Sequence, residues 1–334
     1  MKETNLEQIG ITFKGSGSYI PNQILANEDI SKLVDTSDEW ITTRTGISFR
    51  RISRLNENVA NMGYEAAKEA LDMAKWSPDS VDLIILATST PNDLFGSAPN
   101  IQTKLNARNA VAFDLTAACS GFIFALITAS QYLRNGNYKR AIIIGSDQLS
   151  SYVDWSDRAS CILFGDGAGA IAIEANEIDN LYGFKMRTDG SRGNFLNISN
   201  VQEKKIINEN IFCGKGNFSN ITMNGQEVYK FAVREVPILL NDLLQLTHLD
   251  ASSVDWLVLH QANQRILDAV GERVNISNKK ILSNLEHYGN TSAATIPLLL
   301  DESIRNKKIK ENDMILASGF GAGLSWGAAL FKWG

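Results

Sequence analysis

The chain has 334 residues, of which 44% are apolar and 21% charged, an ordinary composition for a globular protein. Acidic side chains outnumber basic ones by 37 to 32, and the resulting charge of −5 argues against nucleic acid as the main partner, since no overall basic field neutralises phosphates, although it leaves room for a local basic patch. The N-terminus lacks the apolar core and cleavage site of a secretory signal, and the most apolar window, residues 117–126, is too short to span a membrane. We therefore expect a cytoplasmic protein without membrane or nucleic-acid partners.

An internal repeat organises the chain. Residues 80–86 resemble residues 253–259, and residues 142–146 resemble residues 314–318, at nearly the same offset of about half the chain. These runs are short, continuously apolar and β-branched, which is typical of strands covered on both faces. The repeat therefore predicts two halves of similar structure.

Helical segments lie between the predicted strands. Residues 61–75 and 228–246 have the helical period, and alternating strands and helices indicate an α/β fold. Two such halves packed together give α-β-α-β-α layers. We place the N-terminal half at residues 9–182, a polar looped excursion at 183–222 and the C-terminal half at 223–334.

Cys119 is the first candidate for chemistry. It lies between a predicted strand, residues 111–115, and a predicted helix that opens at Gly121 and ends near Gly136. The partial positive charge and free N–H groups of a helix N-terminus favour the nucleophilic thiolate, and small neighbours leave room for a substrate carbonyl. Most free cysteines are instead small buried core residues, so the local context leaves both interpretations open.

The other cysteines are weaker candidates. Residues 160–164 predict a buried strand, which makes Cys161 a core residue, and Cys213 lies at the edge of the polar excursion without a nearby base. The three cysteines form no CxxC pair, so the sequence predicts neither a disulfide framework nor a metal site.

Three histidines limit the choice of a general base. His260 ends a predicted strand, where α/β sheets present functional groups, whereas His248 is expected in a surface loop and His287 is undecided. Asn290 lies among small and hydroxylated residues that suit a tight turn, which alone would explain an asparagine. Cys119, His260 and Asn290 are also the side chains that an acyl-transfer site needs: a nucleophile, a proton acceptor and an amide donor.

Two glycine clusters have different expected roles. Residues 165–170 lack the GxGxxG spacing and precede a strand-like run, so we reject dinucleotide binding there. Residues 319–327 follow a buried strand, and their bare backbone is suited to donate an N–H to a developing oxyanion.

Together these segments resemble β-ketoacyl-acyl carrier protein synthase III, a family of condensing enzymes with the thiolase fold. Residues 114–122, 259–263 and 288–293 are similar to the family's nucleophile, histidine and asparagine segments, in that order. The matching segments run from residues 36–40 to the final glycine-rich strand and cover essentially the whole chain. The family's thiolase-like fold of two duplicated halves agrees with the repeat.

The resemblance implies the initiating condensation of type II fatty acid synthesis. Cys119 would take a short acyl group, with acetyl the natural choice, from acyl-CoA as substrate. After malonyl-acyl carrier protein loses CO₂, His260 and Asn290 would donate hydrogen bonds to the enolate, whose attack gives a 3-oxoacyl-acyl carrier protein. The oxyanion hole would use the backbone N–H of Cys119 and of Ala322, with Gly321 as the alternative donor. The family implies an acyltransferase that works without a cofactor or a metal, as a homodimer.

The resemblance also implies contacts along a CoA tunnel. Trp40 and Arg44 match residues at the adenine and phosphate end, and Arg158 matches the residue on the other side of the adenine. Rings and guanidinium groups both stack on a base. Asn263 matches a contact to the pantetheine arm.

Carrier-protein docking and the acyl pocket complete the implied site. The residues matched to carrier-protein contacts are Arg265, Lys230 and Gln261. Glu272 and Arg273 stand where the well-known enterobacterial form has two lysines, so the docking patch is less basic. Phe95 matches the residue that crosses the dimer interface to close the partner's acyl pocket, and its bulk implies a short primer.

Alternative functions remain at this stage. A related Cys-His-Asn enzyme with another primer or in secondary metabolism is the main one, and a non-catalytic acyl-carrier-binding partner is the other. Elongating synthases use a second histidine where this chain has Asn290, and the local cysteine signature of papain-like hydrolases is absent. The expected location is the bacterial cytoplasm or, for a plastid-encoded chain, the stroma.

Overall fold

The computed structural model describes residues 9–334, and its first half forms a five-stranded sheet in the order β1-β7-β6-β4-β5. The elements are β1 (Gly10–Tyr19), β2 (Gln23–Ala26), α1 (Asn27–Ile30), α2 (Asp38–Thr45), β3 (Phe49–Ile52), α3 (Val59–Ala74), β4 (Leu83–Ala87), α4 (Ala98–Leu105), β5 (Val111–Leu115), α5 (Gly121–Arg134), β6 (Arg140–Gln148), α6 (Arg158–Cys161) and β7 (Asp166–Asn176). Strands β4, β5 and β6 run parallel, and β7 is antiparallel to both β6 and β1.

The second half forms a four-stranded sheet in the order β13-β14-β15-β8. The elements are β8 (Leu181–Thr188), β9 (Leu196–Asn197), β10 (Asn200–Asn208), β11 (Ile211–Phe218), β12 (Thr222–Met223), α7 (Gly225–Leu246), β13 (Trp256–Leu259), α8 (Gln264–Arg273), α9 (Leu285–Tyr288), α10 (Thr295–Arg305), β14 (Met314–Gly321) and β15 (Ser325–Lys332). Strands β10 and β11 pair as a separate, exposed hairpin.

The two sheets repeat one topology. The order β13-β14-β15-β8 matches β4-β6-β7-β1, and the directions match as well, with one parallel pair followed by two antiparallel pairs. The counterpart of β5 is reduced to a parallel bridge between Leu257 and Ile281. The prediction of two similar halves is confirmed.

The layers follow from helix packing. Helix α5 contacts β4 and β6 of the first sheet and β14 and β15 of the second, and α10 lies beside it between the sheets against β1, β7 and β13. Helices α3 and α4 cover the outer face of the first sheet, and α7 covers that of the second. The predicted α-β-α-β-α order is therefore confirmed. Among residues 9–334, none of the helices combines the length and apolarity needed to traverse a bilayer.

Capping residues set the helix boundaries. Asn58 accepts a hydrogen bond from the backbone N–H of Asn61, so α3 begins at Val59, and it ends where Lys75 adopts a φ of 58°. The side chain of Asn224 accepts from the backbone N–H of Glu227 and starts α7 three residues before the predicted position. Both predicted helices are present, and the largest error in their bounds is the three residues at the start of α7.

Two sequence expectations need correction. The boundary placed at residues 182/183 falls inside β8, which pairs with β15, so the second half already begins there, and the excursion contains a hairpin rather than loops alone. Cys161 is buried as expected but ends α6 instead of lying in a strand. The carboxylate of Asp157 accepts from the backbone N–H of Ala159 and from the hydroxyl of Ser160, and this cap starts a helical turn.

Candidate active site

Two backbone turns of the same kind meet at the centre of the molecule. The 3₁₀ turn Ala118–Ser120 leads into α5, and the 3₁₀ turn Ser292–Ala294 leads into α10. Their first residues, Ala118 and Ser292, have φ values of 47° and 53°, a left-handed conformation that non-glycine residues seldom adopt. The turns bring the thiol of Cys119 within 3.5 Å of the hydroxyl oxygen of Ser292.

Cys119 is buried at this meeting point, with 6% of its surface exposed. Burial raises the pKa of its thiol to about 12, and the nearby Asp147 carboxylate adds to the rise. This burial opposes the thiolate, which the helix N-terminus is expected to favour.

His260 follows β13 directly and is equally buried. Its backbone N–H donates to the carbonyl of Ser318 at 2.8 Å, and its ring packs edge-on against Phe320 at 5.2 Å between centroids. Burial lowers the pKa of the imidazole to about 3, so the ring is neutral at physiological pH.

The tautomer of His260 is coupled to one hydroxyl hydrogen. The Oγ1 of Thr295 lies 2.8 Å from His260 Nδ1 and 2.9 Å from the carbonyl oxygen of Ser292. When Thr295 donates to that carbonyl it accepts from Nδ1–H, and Nε2 is then an acceptor. When Thr295 instead donates to Nδ1, Nε2 carries the hydrogen and becomes a donor.

Asn290 is held so that its amide nitrogen is left for a ligand. Its Oδ1 accepts from the backbone N–H of Ser292 at 2.9 Å, and its own backbone bonds to Leu163 and Gly165. Within residues 9–334 its Nδ2 has no hydrogen-bond partner. Cys119, His260 and Asn290 line one cavity of about 100 Å³, so the structure brings the three predicted side chains together.

The backbone beside Cys119 is bare. A Cβ atom at Gly321 would lie 2.8 Å from the Cβ and 3.1 Å from the backbone nitrogen of Cys119, so only glycine fits. The following residue, Ala322, lines a second and larger cavity of about 670 Å³ together with Cys119. Gly321, the alternative oxyanion donor, therefore lies next to Cys119, and Ala322 shares a cavity with it.

Asp147 is a buried carboxylate that the sequence analysis missed. Its Oδ1 accepts from the Ser89 N–H at 2.7 Å and from the hydroxyls of Thr90 and Thr88 at 3.0 and 3.1 Å, and its Oδ2 accepts from the Ala293 N–H at 3.2 Å. Burial raises its pKa, and the neighbouring Ser292 side chain opposes that rise. Its position at the carboxyl end of a buried strand was the available signal.

At the surface, Trp40 lies between two guanidinium groups. The Cζ atoms of Arg44 and Arg158 are 4.8 and 4.9 Å from its ring centroid, and Arg158 also donates to the carbonyl of Asp35 at 2.9 Å. A cavity of about 420 Å³ opens beside Trp40, Arg44 and Arg265. This part of the molecule has the groups needed to stack on a base and to pair with phosphate.

Helix α8 ties this cavity to the buried site. Asn263 caps α8 by accepting from the Arg265 N–H, and its Nδ2 donates to the carbonyl of Arg44 at 3.0 Å. The Arg265 guanidinium donates to the carbonyl of Thr43 at 3.2 Å. Arg265, expected to face a carrier protein, therefore lies in the same cavity as the residues expected to hold the nucleotide.

One carrier-protein assignment does not hold. Gln261 is fully buried, its amide donates to the carbonyl of Leu259 at 2.7 Å, and it accepts from the Asn284 N–H, so its side chain cannot reach a docked protein. Lys230 is exposed, and its ammonium pairs with Glu227 at 2.7 Å. Phe95 is 99% exposed on the rim of the large cavity.

Residues 9–334 contain no group of three or more histidine, cysteine or acidic side chains arranged to hold a metal ion.

Comparisons with known proteins point to one family. Family models described as 3-oxoacyl-[acyl-carrier-protein] synthase III and as its C-terminal part match residues 113–190 and 244–333. The chain is 70% identical to a beta-ketoacyl-[acyl-carrier-protein] synthase III of Prochlorococcus marinus subsp. pastoris over 335 residues, which covers all of both chains.

Solved structures extend the similarity. The 3-oxoacyl-[acyl-carrier-protein] synthase III from Aquifex aeolicus superposes with a TM-score of 0.89 at 42% identity, over 97% of this chain and 100% of that one. The priming beta-ketosynthase of the R1128 polyketide pathway has a TM-score of 0.89 at 30% identity, over 98% and 97% of the two chains. The thiolase-like fold is thereby confirmed.

Proposed function

The chain belongs to the family of 3-oxoacyl-[acyl-carrier-protein] synthases III, and we propose that its condensation takes place where Cys119, His260 and Asn290 line one buried cavity. It is an acyltransferase, the initiating condensing enzyme of fatty acid synthesis. The substrates are an acyl-CoA and malonyl-acyl carrier protein. The observation that carries the site assignment is the shared cavity, in which a thiol, a neutral imidazole and an unpartnered amide meet.

In the first half-reaction the Cys119 sulfur attacks the thioester carbonyl, the carbon–sulfur bond to CoA breaks, and CoA leaves as the thiol. The backbone N–H of Cys119 and that of Ala322, or of Gly321, stabilise the negative oxygen of the tetrahedral intermediate. Removing one such donor typically slows a reaction by about 10²–10³-fold.

In the second half-reaction malonyl-acyl carrier protein loses CO₂, and the electron pair of the broken carbon–carbon bond forms an enolate. Asn290 donates its free Nδ2–H to the enolate oxygen, and His260 donates Nε2–H in the tautomer that Thr295 supports when it donates to Nδ1. The carbanion attacks the acyl carbon and Cys119 leaves. Because the imidazole is neutral, it stabilises the negative charge through a hydrogen bond rather than a full charge.

The binding residues follow the tunnel outward. Trp40, Arg44 and Arg158 hold the nucleotide of CoA, and Asn263 contacts the pantetheine arm. Since Arg158 now stacks on Trp40, an adenine placed between them has to displace it. Arg265 and Lys230 meet the acidic carrier protein at the mouth.

The primer occupies the cavity of about 670 Å³ beside Cys119, which Phe95 borders. In a homodimer each chain's Phe95 would cross the interface and shorten the equivalent cavity of the other chain, and acetyl is then the primer. The size of the cavity also favours a second candidate, a condensing enzyme with a longer primer. We propose further that the enzyme is cytoplasmic and needs no cofactor.

A panel of acyl-CoAs tests both assignments. Incubation with acetyl-CoA should add about 42 Da to the peptide that contains Cys119, because an acetyl group replaces the thiol hydrogen. Longer acyl-CoAs should label more slowly, and Cys119→Ala should abolish labelling, whereas Cys161→Ser should retain it. Label on Cys161 or Cys213 would refute the nucleophile assignment, and faster labelling by longer chains would favour the second candidate.

A further inference from the structure

Two hydroxyl groups, the serine pair Ser120 and Ser325, join the turns that carry the proposed oxyanion donors. Ser120 ends the 3₁₀ turn that contains Cys119, and Ser325 follows the 3₁₀ turn that begins at Ala322. Their Oγ atoms are 2.8 Å apart, so one hydroxyl donates to the other. Both side chains are buried, with 0% and 6% of their surfaces exposed. The hydrogen bond between the two turns is therefore shielded from water.

Each hydroxyl also reaches a carbonyl of its own turn. Ser120 Oγ lies 2.6 Å from the carbonyl oxygen of Ala117, and Ser325 Oγ lies 3.0 Å from that of Ala322. Because a hydroxyl donates one hydrogen, two arrangements are available. When Ser325 donates to Ser120, Ser120 donates to Ala117, and when Ser120 donates to Ser325, Ser325 donates to Ala322. Both arrangements link the two turns.

The glycines beside the serine pair allow close packing but do not interlock. A Cβ atom at Gly321 would lie 2.8 Å from the Cβ of Cys119, and one at Gly319 would lie 3.2 Å from its carbonyl oxygen. Bare backbone at these positions brings the two turns into contact without side chains that fix their relative position. A hydrogen bond has a preferred distance and angle, so the serine pair supplies a directional contact next to these glycines.

We propose that Ser120 and Ser325 are positioning residues for the oxyanion hole. They set the distance between the backbone N–H of Cys119 and that of Ala322, or of Gly321, which pairs with Ser325 in the β14–β15 ladder. The proposal rests on the function proposed above, in which both N–H groups act on the same oxygen. Donors stabilise a developing charge only near their productive geometry, and a displacement of about 1 Å can cost on the order of 100-fold in rate.

The oxyanion hole serves both half-reactions, which gives the serine pair a kinetic signature. A tetrahedral oxyanion forms when the Cys119 sulfur attacks acetyl-CoA and again when the carbanion attacks the acetyl group on Cys119. Ser120→Ala and Ser325→Ala should therefore slow CoA release and condensation by the same factor, about tenfold, with little change in the KM for acetyl-CoA. His260→Ala and Asn290→Ala, by contrast, should mainly slow condensation.

The carbonyl stretching band of the acetyl-enzyme tests the geometry directly. Hydrogen bonds in the oxyanion hole polarise the carbonyl of acetyl-Cys119 and lower its stretching frequency. Difference infrared spectra with acetyl-CoA that is isotope-labelled at the carbonyl carbon isolate this band. The band should move to higher frequency in Ser120→Ala and in Ser325→Ala, a change that a loss of stability alone would not produce.

Ser130→Ala is the matched control. Ser130 is a fully buried serine on α5, and its hydroxyl donates to the carbonyl of Ile127 at 2.7 Å within the same helix. Its replacement removes a buried hydrogen bond away from the oxyanion donors, so both rates and the carbonyl band should keep their wild-type values. The double variant Ser120→Ala/Ser325→Ala should be no slower than the slower single variant, because either substitution breaks the same link.

Three results would overturn the role of the serine pair. These are wild-type rates with an unshifted carbonyl band in both single variants, losses that multiply in the double variant, and a loss confined to condensation, which would place the effect at the enolate. Failure of the underlying function looks different, because the wild type would then not acquire an acetyl group on Cys119.

Discussion

The two central turns share a backbone and differ in chemistry. Ala118 and Ser292 occupy equivalent positions in the two halves, and each precedes a helix of the middle layer. Each turn packs on a glycine of the other half. A Cβ at Gly319 of β14 would lie 2.9 Å from the Cα of Ser120, and one at Gly145 of β6 would lie 2.7 Å from the carbonyl carbon of Ala293. The duplicated scaffold thus places two identical turns face to face.

The residues two positions after these glycines break the symmetry. In the second sheet Gly321 exposes bare backbone to Cys119, where we propose that the oxyanion forms. In the first sheet the equivalent position is Asp147, whose carboxylate meets the turn that carries Ser292. The comparison teaches that equal backbones meet different chemistry: the turn with the thiol faces bare glycine backbone, and the turn with the hydroxyl faces a carboxylate.

The largest expected effect tests whether the halves divide the reaction. His260 and Asn290 belong to the second half and are assigned to the enolate, so His260→Ala and Asn290→Ala should lose about 10²–10³-fold in condensation while still taking acetyl from CoA. Separate measurements of CoA release and of product formation give the two rates. Equal losses in CoA release and in product formation would show that acylation and condensation are not divided between the two halves of the fold.

A second prediction concerns the glycine under the hydroxyl-bearing turn. Gly145→Ala should destabilise the protein by about 1–3 kcal/mol, because the new Cβ has to displace the backbone of Ala293. Gly190→Ala, where a Cβ meets nothing within 4 Å, is the control and should leave the melting temperature nearly unchanged. Thermal unfolding of both variants measures the difference. Equal melting temperatures would show that the turn at Ala293 accommodates the new Cβ without a loss of stability.

The smallest expected effect concerns substrate binding at the surface, and it tests whether the two halves bind different substrates there. Trp40 lies on α2 of the first half and Arg265 on α8 of the second, yet both line one cavity. Trp40→Ala should raise the KM for acetyl-CoA about tenfold through lost stacking. Arg265→Glu should raise the KM for both substrates several-fold, with the carrier-protein defect decreasing at high salt. If Arg265→Glu raised the KM for the carrier-protein substrate alone, Arg265 would contribute to carrier-protein binding and not to CoA binding.

Strand and helix positions were predictable because burial on both faces leaves a continuous apolar pattern. Both repeated strand pairs are present, as β4 with β13 and β6 with β14, but the strand registers match β6 to β14 two residues further along than the sequence comparison did. Strand β5 matches its prediction residue for residue. The error at Cys161 arose because an apolar run of five residues fits a strand or a buried helical turn equally well, and the Asp157 cap decided between them.

The site was predictable as far as its residues carry distinctive chemistry. Cys119, His260 and Asn290 stood out by type and position, whereas Ser292 resembled an ordinary turn residue until the fold placed it against a thiol. Gln261 was misassigned because sequence does not reveal which side of a strand end faces the core. Asp147 was missed because carboxylates at strand ends are common and only its complete burial marks it.

The central helix α5 has a consequence for how the protein is made. The residue before it, Ser120, contacts Ser325 at 2.8 Å, 205 residues further along the chain. At a synthesis rate of about 5–20 residues per second, roughly 10–40 s pass between the translation of these two residues. During that interval one side of an apolar helix has no covering sheet, which makes the nascent chain a client for chaperones that shield exposed apolar surface on the ribosome.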